Sequence, residues 1–134
     1  MDAAAQSTEL TVLIWSVLLL LGHIVVQTLS LIRDCGPAYA VGERDGSRIP
    51  GPVTARLTRG LTNYVETYVA FVALALALMV TGRTGGLGAT GALIWFWARL
   101  VYVPVYAAGI PVARTAIWSV SVVGLVLMLV RLAA

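Results

Sequence analysis

The sequence predicts an all-α integral membrane protein, a bundle of four helices that each cross the bilayer, and three observations support this fold class. Of the 134 residues, 60% are hydrophobic and only 11% are charged, whereas soluble domains carry roughly 25% charged residues. Four apolar segments are long enough to span hydrocarbon, and short links rich in glycine and proline separate them. So little polar surface excludes a water-soluble globular domain.

The predicted helices are the four long apolar segments. A helix needs roughly 20 predominantly apolar residues to cross about 30 Å of hydrocarbon, and each segment approaches or exceeds that length. The segments cover residues 10–32, 53–80, 89–107 and 114–132. We interpret residues 1–134 as a single domain, and an even number of crossings predicts that both termini lie on the same side of the membrane.

The breaks between these helices follow from turn-forming residues. Residues 33–52 combine several glycines and prolines with charged residues, which predicts a polar connector. Residues 81–88 (TGRTGGLG) are dense in glycine and predict a tight link between antiparallel helices. In residues 108–113 (AGIPVA), the glycine ends the third helix and the proline prepares the fourth.

Arginine placement predicts the orientation of the bundle, because short cytoplasmic loops are enriched in positive charge. The first and third connectors with their flanks contain Arg33, Arg44, Arg48, Arg56 and Arg114. The opposite side contains Arg83 and Arg131. Both termini are therefore expected to face away from the cytoplasm.

Several classes of site are disfavoured by composition. Cys35 is the single cysteine, so neither an internal disulfide nor a cysteine-built metal site is expected. The net charge of +3 comes without a basic run or a patch of interleaved aromatic residues, so a nucleic-acid partner is not expected. The expected surroundings are instead the lipid bilayer.

Polar side chains within the predicted spans gather toward the cytoplasmic end of the bundle. An ionisable residue at the centre of a membrane helix costs about 2.5 to 3.5 kcal/mol on insertion scales, so each one suggests a partner or a site. On the second and third helices the spacings of three and four residues place these side chains on one face of each helix. The residues are Arg59, Asn63 and Glu66 on the second helix, Arg99, Tyr102 and Tyr106 on the third, and Arg114 with Thr115 where the fourth begins.

The charges of this group do not balance. Three arginines, Arg59, Arg99 and Arg114, face one acid, Glu66. One interpretation is a structural ion pair between Glu66 and Arg59 or Arg99. The other is that the surplus of positive charge in a medium of low dielectric constant accommodates a small anionic ligand that enters from the cytoplasm.

Two motifs of this group resemble a known family. The run RGLTNYVETYVAF, residues 59–71, resembles the Arg-x-x-x-Asn-x-x-Glu signature on the second helix of the MAPEG family, the membrane-associated proteins in eicosanoid and glutathione metabolism. The run ARLVYVPVYAAGIPVART, residues 98–115, is similar to that family's Arg-x-x-Tyr-x-x-x-Tyr motif and the arginine that follows it. The order and the separation of the motifs also agree, and the overall character is that of a small bacterial member.

This resemblance implies a homotrimer in the bacterial inner membrane that binds glutathione as a co-substrate between neighbouring subunits. The residues implied to hold glutathione are Arg59, Asn63, Glu66, Arg99, Tyr102 and Tyr106. Arg114 is implied to lie near the sulfur as the catalytic residue. The implied activity is that of a glutathione-dependent transferase or peroxidase acting on hydrophobic electrophiles, and the resemblance does not assign Arg33 or Arg44 to the ligand.

Two other functions compete with this one. A non-catalytic lipid-binding or scaffold protein is an alternative, because the family also includes a member that performs no chemistry. A small four-helix multidrug exporter is similar in size, but such exporters resemble one another in placing an acid in the first helix. Residues 10–32 contain no acid, which disfavours the exporter.

Overall fold

The protein is helical throughout the part of the chain that its computed structural model describes, residues 2–43 and 48–134. The helices are α1 Asp2–Ala5, α2 Thr8–Cys35, α3 Pro37–Val41, α4 Pro52–Val80, α5 Leu87–Ala108 and α6 Pro111–Ala133. In the described ranges, α2, α4, α5 and α6 are long and apolar enough to cross a membrane. The prediction of an all-α bundle with four membrane-spanning helices is thereby confirmed.

The first span, α2, begins at Thr8 because Ser7 caps it. The Ser7 hydroxyl accepts a hydrogen bond from the backbone N–H of Leu10 at 3.2 Å, which satisfies one of the amides that a helix leaves free at its N-terminus. The helix continues to Cys35 and stops at Gly36, whose φ of 88° lies in the region that favours glycine. It is therefore longer at both ends than its apolar segment.

The connector between the first two spans contains a short helix that the sequence analysis did not predict. Pro37 occupies the first turn of α3, a position that suits a residue without an N–H. Downstream, the carboxylate of Asp34 accepts hydrogen bonds from the N–H of Gly51, at 2.8 Å, and from the hydroxyl of Thr54. These bonds tie the end of α2 to the start of α4 at one end of the bundle.

The last two spans pack closely through glycine. A Cβ atom at Gly124 would lie 2.6 Å from the carbonyl oxygen of Gly91 and 2.8 Å from the nitrogen of Trp95, so only glycine permits this approach. The helix α5 ends where Gly109 adopts a left-handed conformation with φ of 76°, and α6 starts two residues later at Pro111. The pair forms a tight antiparallel hairpin.

The core is a stack of aromatic rings between α2, α4 and α5. Phe71 and Trp95 are fully buried, with ring centroids 4.1 Å apart and planes 5° from parallel. Tyr64 lies against Trp95, and its hydroxyl donates to the carbonyl of Ser16 at 2.8 Å. The outward faces carry exposed leucine, isoleucine and valine, as expected of helices that face lipid. Arg99 follows the aromatic stack in the sequence of α5. The polar residues therefore lie between the aromatic core and the C-terminal end of α5.

Candidate functional site

The direction of the helices brings the predicted site residues to one end of the bundle. Arg59 comes seven residues after the start of α4 and Arg114 three residues after the start of α6, whereas Arg99 comes nine residues before the end of α5. At 1.5 Å of rise per residue, all three Cα atoms lie within roughly 15 Å of the same end. Three separate spans therefore contribute guanidinium groups to one region.

Six of the seven predicted site residues line one pocket of about 320 Å³, together with Thr58 and Thr62. The six are Arg59, Asn63, Glu66, Tyr102, Tyr106 and Arg114. The seventh, Arg99, lies behind them and donates from Nη1 to Oδ1 of Asn63 at 2.8 Å. The structure thus places together every residue that the two motifs indicated.

Arg99 is the most deeply buried charge of this group, with 1% of its surface exposed. Its guanidinium lies over the ring of Tyr102, 4.2 Å from the centroid, and 5.5 Å from that of Tyr64. Within the described residues, Nε and Nη2 are buried without a hydrogen-bond partner. A buried donor without an acceptor costs about 1 to 3 kcal/mol, so Arg99 retains donors for which an acceptor is favourable.

Tyr106 orients the other two arginines. Its hydroxyl accepts a hydrogen bond from Nε of Arg59 at 3.3 Å. The guanidinium of Arg114 lies over its ring, 4.9 Å from the centroid, in a cation–π arrangement. Tyr102 packs against Tyr106 with centroids 5.4 Å apart, so the two predicted tyrosines form a continuous wall beside the arginines.

Glu66 is exposed in the described structure and stands apart from the arginines. Among residues 2–43 and 48–134, the ion pair closer than 4.0 Å joins Arg33 to Asp34, and none joins Glu66 to Arg59 or Arg99. The described residues therefore do not form the structural ion pair between Glu66 and an arginine, because Arg99 is hydrogen-bonded to the neutral amide of Asn63 instead. Glu66 keeps a free carboxylate at the edge of the pocket.

Two smaller pockets adjoin the main one, and Arg114 lines all three. A pocket of about 200 Å³ is lined by Asn63, Tyr102, Arg114, Thr115 and Trp118. A pocket of about 170 Å³ is lined by Arg56, Arg59, Tyr106, Gly109, Pro111 and Arg114. Arg114 therefore occupies the junction of the site.

Arg56 lines one of the two smaller pockets. From the sequence it contributed only to the predicted orientation of the bundle and was not among the predicted site residues. The signal was its spacing, because Arg56 precedes Arg59 by three residues and so shares its helix face. Arg33 is 71% exposed, is bonded to Asp34 and does not line these pockets. Arg44 lies outside the described residues. In the described part of the chain, no three histidine, cysteine, aspartate or glutamate side chains are grouped so that they could hold a metal ion.

The chemistry of this site is that of a cationic pocket with aromatic walls. Guanidinium groups bind carboxylates through paired hydrogen bonds and stabilise developing negative charge. An exposed carboxylate at the edge adds a place for an ammonium group. The arrangement suits a small, flexible molecule that carries both signs of charge with an excess of negative charge.

Comparison with known proteins identifies a matching family. The model of the MAPEG family matches residues 11–134, nearly the whole chain. No curated protein and no solved structure matches. The match covers α2 from residue 11 onward, the whole of α4, α5 and α6, and both motifs that contribute to the site. The chain therefore belongs to the MAPEG family, and this membership implies a membrane function related to glutathione or eicosanoid metabolism.

Proposed function

We propose that this protein is a glutathione-dependent membrane transferase or peroxidase that acts on hydrophobic electrophiles. The observation that carries the proposal is the charge of the site: the guanidinium groups of Arg59 and Arg114 line a pocket that has one carboxylate at its edge, and that of Arg99 is buried behind the lining residues, bonded to Asn63. Because buried charge without a partner is costly, an anionic ligand is the simplest way to satisfy Arg99.

Glutathione matches the groups that the pocket offers. It carries two carboxylates and one ammonium group. Arg59 and Arg99 are proposed to hold the carboxylates, and the free carboxylate of Glu66 is proposed to receive the ammonium group. Asn63, Tyr102 and Tyr106 add hydrogen-bonding atoms along the same wall. Within the described residues, Nε and Nη2 of Arg99 are buried without a partner, so a bound carboxylate would supply an acceptor that the protein does not provide.

Arg114 is proposed to be the catalytic residue. Glutathione supplies a thiol with a pKa of about 8.5, and the thiolate is the reactive nucleophile. Arg114 lines all three pockets. Its guanidinium could therefore stabilise that negative charge in whichever of the three pockets the sulfur lies. Arg114 would thereby raise the thiolate fraction at neutral pH.

The pocket that contains Trp118 is proposed to receive the electrophile. It adjoins Arg114, and Trp118 is 38% exposed on a helix that faces lipid. A hydrophobic substrate dissolved in the bilayer can therefore approach along α6 without crossing water. We further propose that the protein works as a homotrimer with the site between subunits, in the bacterial inner membrane, with both termini away from the cytoplasm.

Calorimetric titration with glutathione, followed by turnover with chlorodinitrobenzene, tests this proposal. The expected result is binding together with conjugation. The control ligand is the glutathione analogue with a methyl group in place of the thiol, which should bind without reacting. Binding of both ligands with no turnover of any electrophile would favour the non-catalytic scaffold, and binding of neither would contradict the assignment of glutathione.

A further inference from the structure

A groove runs between α2 and α5 and shares no lining residue with the arginine pockets. It consists of two adjoining cavities of about 620 and 560 Å³, and Leu18, Leu19 and Leu100 line both of them. We infer that this α2–α5 groove binds a neutral, long-chain lipid of the isoprenoid quinone class. The inference goes beyond the proposed function and does not depend on it.

The groove is longer than a lipid chain that stays within one leaflet. Along α2 its lining extends from Thr8 to Val26, and at 1.5 Å of rise per residue this distance is roughly 27 Å. The hydrocarbon of a bilayer is roughly 30 Å thick, so each leaflet supplies about 15 Å. The acyl chain of a phospholipid would therefore end near the middle of the groove, whereas an isoprenoid chain that crosses the midplane can fill its length.

The end of the groove where α2 begins is polar but uncharged. Gln6, Thr8 and Thr11 supply amide and hydroxyl groups there, and none of the described residues that line this cavity is charged. The acid of this region, Glu9, is fully buried, and its carboxylate accepts a hydrogen bond from the N–H of Gly85 at 2.8 Å. A phosphate headgroup would find no guanidinium or ammonium partner in this cavity. A neutral headgroup that accepts hydrogen bonds, such as a quinone ring, suits the available donors.

Aromatic side chains form the walls next to this polar end. Trp15 and Trp97 line the groove and remain 55% and 58% exposed. Phe96 packs edge-on against Trp97, with ring centroids 5.5 Å apart. Indole rings offer flat surfaces on which another planar ring can stack. A quinone ring beside them would keep its carbonyl oxygens near the amide and hydroxyl groups, and its chain would follow the leucines that line both cavities.

The deeper half of the groove is open at Gly22. This glycine lines the deeper cavity together with Val26 and Pro104. Nothing lies within 4 Å of a Cβ atom placed at Gly22. A large side chain at this position therefore has room to project into the groove, which allows the half proposed to hold the chain to be blocked while the packing of the bundle is kept.

Ubiquinones with two and with eight isoprene units are the probes, because they share a headgroup and differ in chain length. At equal mole fraction in phosphatidylcholine nanodiscs, both should raise the melting temperature of wild type, and the longer one should raise it more. In Gly22→Phe, the additional rise from the longer chain should be lost, and the rise from the shorter one should remain. Leu21→Phe is the matched control, because Leu21 is exposed on α2 and does not line the groove. It should respond like wild type.

A second variant tests the polar end independently of Gly22. The double substitution Gln6→Leu and Thr8→Val removes hydrogen-bond donors and keeps most of the side-chain volume. It should reduce the rise in melting temperature for both quinones, whatever their chain length. Calorimetric binding of glutathione should be the same in this variant, in Gly22→Phe and in wild type, since the arginine pockets share no residue with the groove.

Several outcomes would overturn the inference. If neither quinone raises the melting temperature of wild type, or if Gly22→Phe and Leu21→Phe respond alike to both quinones, the groove does not bind this class of lipid. If phosphatidylglycerol gives a rise that Gly22→Phe abolishes and the quinones give none, the occupant is a phospholipid. If native mass spectrometry shows that Gly22→Phe dissociates an assembly that Leu21→Phe leaves intact, a neighbouring subunit occupies the groove instead.

Discussion

Arg99 shows at the level of a single residue how stability and binding oppose each other in this site. The side chain is 1% exposed, yet two of its nitrogens have no partner among the described residues. A buried charge without an ion-pair partner is costly to the fold, because no opposite charge offsets its loss of hydration. A protein that kept this arginine for stability alone would have gained little, which favours a role in holding a ligand.

Arg99→Met should therefore raise the melting temperature of the ligand-free protein or leave it unchanged, because the substitution removes unpartnered donors and keeps most of the volume. The same variant should lose the stabilisation by glutathione, since a carboxylate would lose its buried partner. Thermal denaturation in detergent with and without glutathione measures both effects. A large drop in the ligand-free melting temperature would show instead that the bond to Asn63 and the tyrosine contacts hold the bundle together.

Glu66→Gln distinguishes the two interpretations of Glu66, a structural ion-pair partner or a ligand-binding carboxylate. Since Glu66 is exposed and unpaired in the described structure, the glutamine variant should fold and assemble like wild type. Its affinity for glutathione should fall about tenfold or more, in line with the loss of one charge-assisted hydrogen bond of about 1.5 to 3 kcal/mol. Calorimetry gives the affinity, and an unchanged affinity would remove Glu66 from the ligand-binding group.

Helical spacing predicted which residues share a face, but it could not predict their partners. Arg59, Asn63 and Glu66 were correctly grouped on one face of a helix because the spacing determines it. That Arg99 pairs with Asn63 rather than with Glu66 depends on how α4 and α5 are rotated and shifted relative to each other. The residue spacing within one helix does not determine how that helix is placed against its neighbour. Arg56 was missed because it lies near a helix end, where an arginine equally suits the orientation rule.

At the level of elements, the α5–α6 hairpin determines where Arg99, Tyr106 and Arg114 lie relative to one another. Gly109 and Pro111 reverse the chain within a few residues, and the contact of Gly91 with Gly124 holds the two helices close along their length. Apolar length was sufficient to predict these spans. The glycine contact was not predicted, because a glycine in an apolar segment gives no sign of which helix faces it.

Gly124→Ala should destabilise the bundle by about 1 to 3 kcal/mol, the usual cost of inserting a methyl group into a filled contact. Its Cβ would meet the backbone at Gly91 and Trp95, which cannot move without separating α5 from α6. Gly22→Ala is the matched control, because nothing lies within 4 Å of a Cβ at that position. Equal melting temperatures for the two variants would contradict the role of this contact.

For the whole molecule, the open faces of the site favour assembly. The pocket walls come from α4, α5 and α6, while Arg59 and Glu66 remain exposed, so the described subunit does not enclose a ligand by itself. The number of spans and the family could be read from sequence, since both depend on patterns within the chain. Which surface of a neighbouring subunit would close the site in the proposed trimer could not be read from sequence, since that depends on contacts between chains.

The protein should consequently purify from detergent as a trimer. Native mass spectrometry reports the mass of the assembly directly, and addition of glutathione should increase the trimer fraction if the ligand is held between subunits. A purely monomeric spectrum from a sample that still binds glutathione would show that one chain forms the whole site.

Ultraviolet difference spectroscopy is the direct test of whether this site binds glutathione and activates its thiol, because a thiolate absorbs at wavelengths where a thiol does not. At neutral pH, wild type mixed with glutathione should show a thiolate signal, which the thiol-free analogue should not produce. Arg114→Leu should lose this signal while calorimetry still detects glutathione, because Arg59 and Arg99 would still hold the carboxylates. Bound glutathione without a thiolate signal in wild type would show that the site does not activate the thiol, and an undiminished signal in Arg114→Leu would show that Arg114 does not stabilise the thiolate.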